Sequence, residues 1–119
     1  MLRITIGSVS TEVLHTRIPL LMLDSREQYL PLAAVLAIER TAEVLAAERG
    51  LNLGTPQRMV DIIGGPVEGA PHLPKLTQQV TVDDALDSVA RTFKGIVTYG
   101  MCKQPDGKGL FQLGFIYGS

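Results

Sequence analysis

The stretch at residues 31–50 reads PLAAVLAIERTAEVLAAERG, and it decides how the rest of the chain must fold. Alanine and leucine dominate it, and because both are strong helix formers the stretch predicts one long helix. Pro31 is tolerated only in a first turn, so this helix begins nearer Tyr29 than Ser25. Gly50 supplies the left-handed residue that commonly follows a helix end.

The circumference of this helix is apolar over most of its extent. Its charges Glu39, Arg40 and Glu43 share one narrow face. A helix with so little polar surface is covered on more than one side. In a chain of 119 residues with a mean hydropathy of +0.20, we expect part of that cover to come from another subunit. The sequence therefore predicts a homo-oligomer.

Two strands and a capping signal precede the helix. Residues 2–9 alternate between apolar and polar, which predicts a half-buried strand. Residues 17–23 read RIPLLML, a short apolar run typical of a buried strand, and Pro19 places its start at an edge. Asp24 and Glu27 have the spacing of a capping box, in which each side chain accepts from the backbone N–H of the other residue.

A second helix and a hairpin follow in the C-terminal part of the chain. Thr81 caps a helix whose apolar residues recur at intervals of three and four, and Gly95 ends it. Residues 96–102 and 110–117 are rich in β-branched and aromatic side chains. They flank a turn signal at 104–109, so the sequence predicts a C-terminal β-hairpin.

These elements together predict an α+β fold. We expect one sheet, made of the N-terminal strands and the C-terminal hairpin, with the two main helices packed on it. Thr55 and Pro56 further predict a short helix over 56–63. Residues 64–79 are rich in proline and glycine and form the connector within a single domain that spans residues 1–119.

Composition and charge exclude several classes of function. The net charge is -1, and a protein that binds nucleic acid or a membrane surface through bulk charge needs a surplus of clustered lysine and arginine. The longest apolar run, at 29–38, spans about ten residues, whereas a membrane helix needs roughly 20. The N-terminus has no continuous apolar region of a signal peptide. We therefore expect a cytoplasmic protein without nucleic-acid or membrane partners.

The usual catalytic and metal-binding constellations are missing from the sequence. His15 and His72 are the only histidines, and they lie far apart in the sequence. Cys102 is the only cysteine, so no intramolecular disulfide forms, and no neighbouring base would activate its thiol. We predict no catalytic residue, no metal and no cofactor.

One loop is a candidate for binding an anion. Gly7, Ser8, Ser10 and Thr11 follow the first strand and offer hydroxyl groups beside backbone amides that a glycine leaves accessible. Arg17 is the nearest cation downstream and would add charge if the second strand folds back beside the loop. The alternative is an ordinary turn, in which such hydroxyls bond the adjacent backbone.

The first half of the chain contains four further stretches, which read ITIGS at 4–8, TRIPLLML at 16–23, LAAERGLN at 45–52 and TPQRM at 55–59. In this order they resemble the second half of a sugar isomerase (SIS) domain, a phosphosugar-binding fold, and the resemblance covers residues 2–60. It implies a small phosphorylated ligand, and it places Glu27 near a glutamate that many members carry after the last strand. The family's phosphate loops lie in the part of the domain to which this chain has no counterpart, so no catalytic residue carries over.

Two functions are consistent with these observations. The first is a non-enzymatic oligomeric assembly or regulatory module, which the apolar helix and the missing catalytic constellations favour. The second is a phosphosugar-binding protein of the sugar isomerase class, which the resemblance favours. Under the second hypothesis the ligand would contact the loop after the first strand, together with Arg17 and Glu27.

Overall fold

Helices and strands occupy most of the part of the chain that the structure, a computed structural model, describes: residues 2–7, 11–50, 53–54, 68–103 and 109–117. The strands are β1 (Leu2–Gly7), β2 (Arg17–Met22), β3 (Leu53–Gly54), β4 (Leu76–Thr81), β5 (Gly95–Lys103) and β6 (Gly109–Tyr117). The helices are α1 (Thr11–Leu14), α2 (Ser25–Tyr29), α3 (Pro31–Glu48) and α4 (Val82–Thr92). The predicted α+β class is confirmed.

The strands form two sheets. The larger has the order β1–β5–β6–β3, in which β1 runs parallel to β5, and β5 and β6 form the predicted antiparallel hairpin. The smaller sheet, here called the ribbon, pairs β2 with β4 in antiparallel fashion. Of the two N-terminal strands predicted to join the hairpin, β1 does so and β2 does not. The partner of β2 begins at Leu76, inside the segment predicted as the connector 64–79.

The two long helices form a layer between the larger sheet and the ribbon. Helix α3 packs on β6 on one side and on β2 on the other, while α4 packs on β5 and on β4. This arrangement confirms the prediction that the apolar helix is covered on more than one side. Among the residues described, both covers come from the chain itself, so the apolar circumference of α3 does not require another subunit.

The junction between α2 and α3 follows the predicted capping signals. The Asp24 carboxylate accepts the N–H of Glu27 at 2.8 Å, and the Glu27 carboxylate accepts the N–H of Asp24 at 3.0 Å. This capping box begins α2 rather than the main helix. At Leu30 the backbone is extended, with φ -116° and ψ 113°, and Pro31 then opens α3 in its first turn, where a missing N–H is tolerated.

Helix α4 begins as predicted and ends differently. Thr81 and Asp84 form a capping box in which the Asp84 N–H donates to the Thr81 hydroxyl at 3.1 Å. The left-handed residue after the helix is Lys94, with φ 51°, and not Gly95. Gly95 instead opens β5 against β6, where a Cβ would lie 2.6 Å from the carbonyl oxygen of Ile116. The glycine is required for this close approach of two strands.

The ribbon is distorted at its centre. Pro19 has no N–H to donate, and its position interrupts the otherwise regular pairing of β2 with β4. The opposite residue, Gln79, has a left-handed φ of 53°. In a regular strand, residues three positions apart face opposite sides of the sheet. Here the distortion lets both Ile18 and Leu21 face inward. The strand β2, which the sequence predicts to be buried, therefore has an exposed outer face.

Two sequence predictions fall outside this description. The short helix predicted over 56–63 lies outside the described residues, as does the first part of the predicted connector. Within the described ranges, no helix combines the length and the apolar character that crossing a bilayer requires.

Candidate functional site

A group of large apolar side chains lies exposed at one end of the ribbon. Their exposed fractions run from 45% to 61%, which is high for side chains of this size. Met22 and Leu76 are direct partners across the two strands, and Val44 of α3 lines the same open depression as Met22. We call this surface the ribbon patch, and its members are Leu20, Met22, Val44 and Leu76.

The depression at the ribbon patch has a polar rim. Glu27 and Arg40 line it, and their side chains form an ion pair with an Nη2–Oε2 distance of 3.2 Å. The Arg40 side chain is 65% exposed and that of Glu27 is 16% exposed. An ion pair this open to solvent adds little stability. An apolar centre with a charged rim is instead the ordinary composition of a protein–protein interface.

The loop predicted to bind an anion is described only in part. Gly7 is the last residue of β1, paired in register with Met101, and Thr11 is the first residue of α1. Ser8 and Ser10 lie outside the described residues. The structure therefore leaves the anion-binding role of this loop as a prediction.

The two other predicted ligand residues lie at opposite ends of β2. Arg17 is the first residue of the strand and is exposed, whereas Glu27 lies in α2, which follows the last residue of the strand. A strand of this length separates its ends by about 17 Å. Both carboxylate oxygens of Glu27 have partners, the N–H of Asp24 and the guanidinium of Arg40. These bonds give Glu27 a structural role in holding α2 against α3.

The structure reveals a buried acidic residue that sequence reasoning placed on the exposed face. Glu39 is 3% exposed, and its Oε2 accepts the backbone N–H of Leu113 at 2.7 Å. The grouping of Glu39 with the solvent-facing charges of the helix was therefore wrong. The sequence contains a signal for this burial, because Glu39 lies on the same helical stripe as the apolar residues Val35, Ala42 and Ala46. The structure buries all three of these neighbours.

A second polar contact joins two of the stretches that resemble the sugar isomerase domain, those at 16–23 and 45–52. Arg49, just beyond α3, donates from Nη1 to the hydroxyl of the buried Thr16 at 3.2 Å. The carbonyl of Thr16 in turn accepts the N–H of Val82 at 3.0 Å. The arginine at the end of this helix thus connects the beginnings of β2 and α4, which is a role in the fold.

Neither histidine belongs to a cluster of ligating groups within the part of the chain that the structure describes. The ring of His72 stacks on Tyr29 with centroids 4.9 Å apart, and its Nδ1 lies 3.2 Å from the carbonyl oxygen of Ala70. His15 is exposed in the turn after α1. Among the described residues, no three side chains of histidine, cysteine, aspartate or glutamate come together as a metal site would require.

Comparison with models of protein families, with curated proteins and with solved structures finds no match for this chain. The function is therefore argued from the ribbon patch and from the residues around it.

Proposed function

We propose that the protein is a non-enzymatic assembly module that self-associates through the ribbon patch. The observation that carries the proposal is the exposure of four large apolar side chains, two of which, Met22 and Val44, line one depression. Single exposed apolar residues are normal on a monomer, but contiguous ones mark surfaces that bind another molecule. Burying them against a partner is favourable by roughly 25 cal/mol for each Å² removed from water.

The ribbon itself is the reason to expect a second copy of the chain as the partner. In the described residues it has two strands, so β2 and β4 each leave one edge unpaired. A two-stranded sheet is marginal alone and gains stability when a further layer covers its open face. Two copies related by a twofold axis can stack their ribbons face to face, so that the ribbon patches cover each other.

The charges at the rim suit the same partner. Each copy presents a cation, Arg40, beside a carboxylate, Glu27, so that a twofold arrangement sets opposite charges against each other. The net charge of the chain is only -1, so two copies repel each other weakly. A strongly acidic or basic partner would need a surplus of one sign at the rim, and the rim carries both signs.

The experiment is sedimentation of the wild type and of charge variants over a range of concentrations. Met22→Glu or Leu76→Glu places a carboxylate in the centre of the proposed interface, where it would be desolvated without a partner. We expect each variant to weaken dimerisation by at least about tenfold, which corresponds to 1.4 kcal/mol. Both positions are exposed, so the variants should fold, and circular dichroism and thermal melting check this.

Gln112→Glu is the matched control. Gln112 is also an exposed strand residue, but it lies on β6 between the buried Phe111 and Leu113 and therefore faces outward from the larger sheet. The Gln112→Glu variant introduces the same charge on the far side of the helical layer and should leave dimerisation unchanged. A wild type that stays monomeric at every concentration, or a Met22→Glu variant that dimerises as well as the wild type, would refute the proposal.

A further inference from the structure

An apolar cavity lies on the inner side of the ribbon and shares no residue with the ribbon patch. Its volume is about 80 Å³. The ribbon contributes Leu21 and Val80 to the walls, α3 contributes Ile38, α4 contributes Ala85, and the segment before β4 adds Leu73 and Pro74. Ala85 has the smallest side chain of these residues, so a larger one at this position would fill part of the space.

The cavity has two hydroxyl groups and no charge on its walls. Thr77 of β4 and Ser88 of α4 line it, and both residues are half-exposed, whereas Leu21, Ile38 and Ala85 are buried. Pro74, which also lines the cavity, is exposed, so the two hydroxyls lie with Pro74 towards the opening and the buried apolar side chains form the floor. Neither hydroxyl bonds to another residue within the described ranges. Hydroxyls at the mouth of an apolar cavity are typical of a binding site that orients a ligand by a few polar contacts.

We infer that this cavity binds a small neutral aliphatic molecule with one polar end, such as a short-chain alcohol. A cavity of roughly 150 Å³ holds benzene, which has six non-hydrogen atoms, so this cavity encloses about three carbon atoms with the polar end at its mouth. The aliphatic chain lies against the floor, and the polar end bonds to Thr77 and Ser88. A charged end group is disfavoured, because no cation or anion among the lining residues would pair with it.

The test is a titration of the protein with 1-propanol, followed through the backbone amide signals in NMR spectra. We expect saturable shifts concentrated at Leu21, Ala85 and Ser88, which line the cavity. Propanoate at neutral pH has the same number of carbon atoms with a charged end, and we expect it to bind at least tenfold more weakly. Shifts that stay linear in concentration, or that lie away from the cavity, would show a solvent effect and overturn the inference.

Variants separate the cavity from the rest of the surface. Ala85→Leu fills the space and should weaken propanol binding at least tenfold, and Ser88→Leu serves the same purpose if that variant does not fold. Ala47→Leu is the control, because Ala47 is exposed on α3 and does not line the cavity. Undiminished propanol binding by the filled variant would overturn the inference.

A double variant tests the polar contacts. Thr77→Val combined with Ser88→Ala removes both hydroxyls and nearly preserves the shape of the cavity. We expect propanol to bind the double variant several-fold more weakly than the wild type, with its shifts still at the cavity. Equal affinity would contradict the assignment of the hydroxyls to the polar end of the ligand. None of these results depends on dimerisation, because the cavity and the ribbon patch share no residue.

Discussion

Replacing Glu39 with alanine is expected to lower the free energy of unfolding by about 2–3 kcal/mol, because it removes the acceptor of a buried backbone N–H. The carboxyl group of Glu39 accepts the Leu113 N–H at 2.7 Å, from α3 to β6. At this outer edge of β6, strand β3 pairs only with Gly109 and Leu110 within the described residues. Glu39 thus supplies a bond that a further strand residue would otherwise provide.

Two further variants make the measurement specific. Glu39→Gln keeps an acceptor oxygen at nearly the same place, so it should be clearly less destabilising than the alanine variant. Glu48→Ala removes an exposed glutamate from the same helix and should change the stability by no more than about 0.5 kcal/mol. Denaturant unfolding measures all three. If Glu39→Ala is no more destabilising than Glu48→Ala, the buried bond contributes nothing.

Replacing Phe111 with alanine is expected to have the largest effect of all, a loss of about 3–5 kcal/mol. Phe111 is among the largest side chains that are fully buried, and it lies on the face of β6 that packs against α3. Truncation removes most of its buried apolar area and leaves a cavity between the sheet and the helix. Because a domain of this size is stable by only about 5–15 kcal/mol, the variant should be close to unfolding.

The neighbouring strand position provides the control for Phe111. Gln112 points outward from the same strand, and Gln112→Ala should change the stability by no more than about 0.5 kcal/mol. Phe111→Leu keeps an apolar side chain in place and should fall between the two. Thermal and denaturant unfolding that rank the three variants in any other order would contradict the packing of β6 against the helical layer.

The local signals in the sequence were sufficient to predict the class of the fold and most helix ends. The capping residues Asp24 and Thr81 accept the backbone N–H groups that their spacing predicted. Gly50 follows α3 with φ 77°, as predicted for the end of that helix. These features depend on a few neighbouring residues, and for that reason sequence alone predicts them well.

The pairing of β2 with β4 was not predicted, because it depends on residues far apart in the chain. Strand β4 contains Gln78 and Gln79, which are polar and favour no strand by themselves. It directly follows a segment rich in proline and glycine, so no pattern in the sequence marks its first residue. The inner face of β2 carries Ile18 and Leu21, and both side chains are buried. The helical layer and the neighbouring strand β4 bury them together, and this burial favours the pairing of β2 with β4.

The candidate site was missed for a related reason. Leu20 and Met22 belong to an apolar run that predicts a fully buried strand, and only the distortion at Pro19 and Gln79 turns them outward. Self-association remains a prediction, but the structure changes the surface on which the prediction rests. The sequence located the unsatisfied apolar surface on α3, whereas the structure covers most of that helix, leaves Val44 exposed, and exposes the outer face of the ribbon.

The measurement that tests the proposed interface most directly is the distance between spin labels on two copies of the protein. Cys102 is the only cysteine, so Cys102→Ser provides a background in which a single label is attached through Gln78→Cys or Gln112→Cys. Gln78 pairs with Leu20 in the ribbon and is exposed, while Gln112 lies on the far side of the larger sheet. Assembly through the ribbon patch predicts a short, well-defined distance between labels at 78 and a much longer one between labels at 112. A dimer in which the labels at 112 are the closer pair, or a sample with no distance between copies at either position, would contradict it.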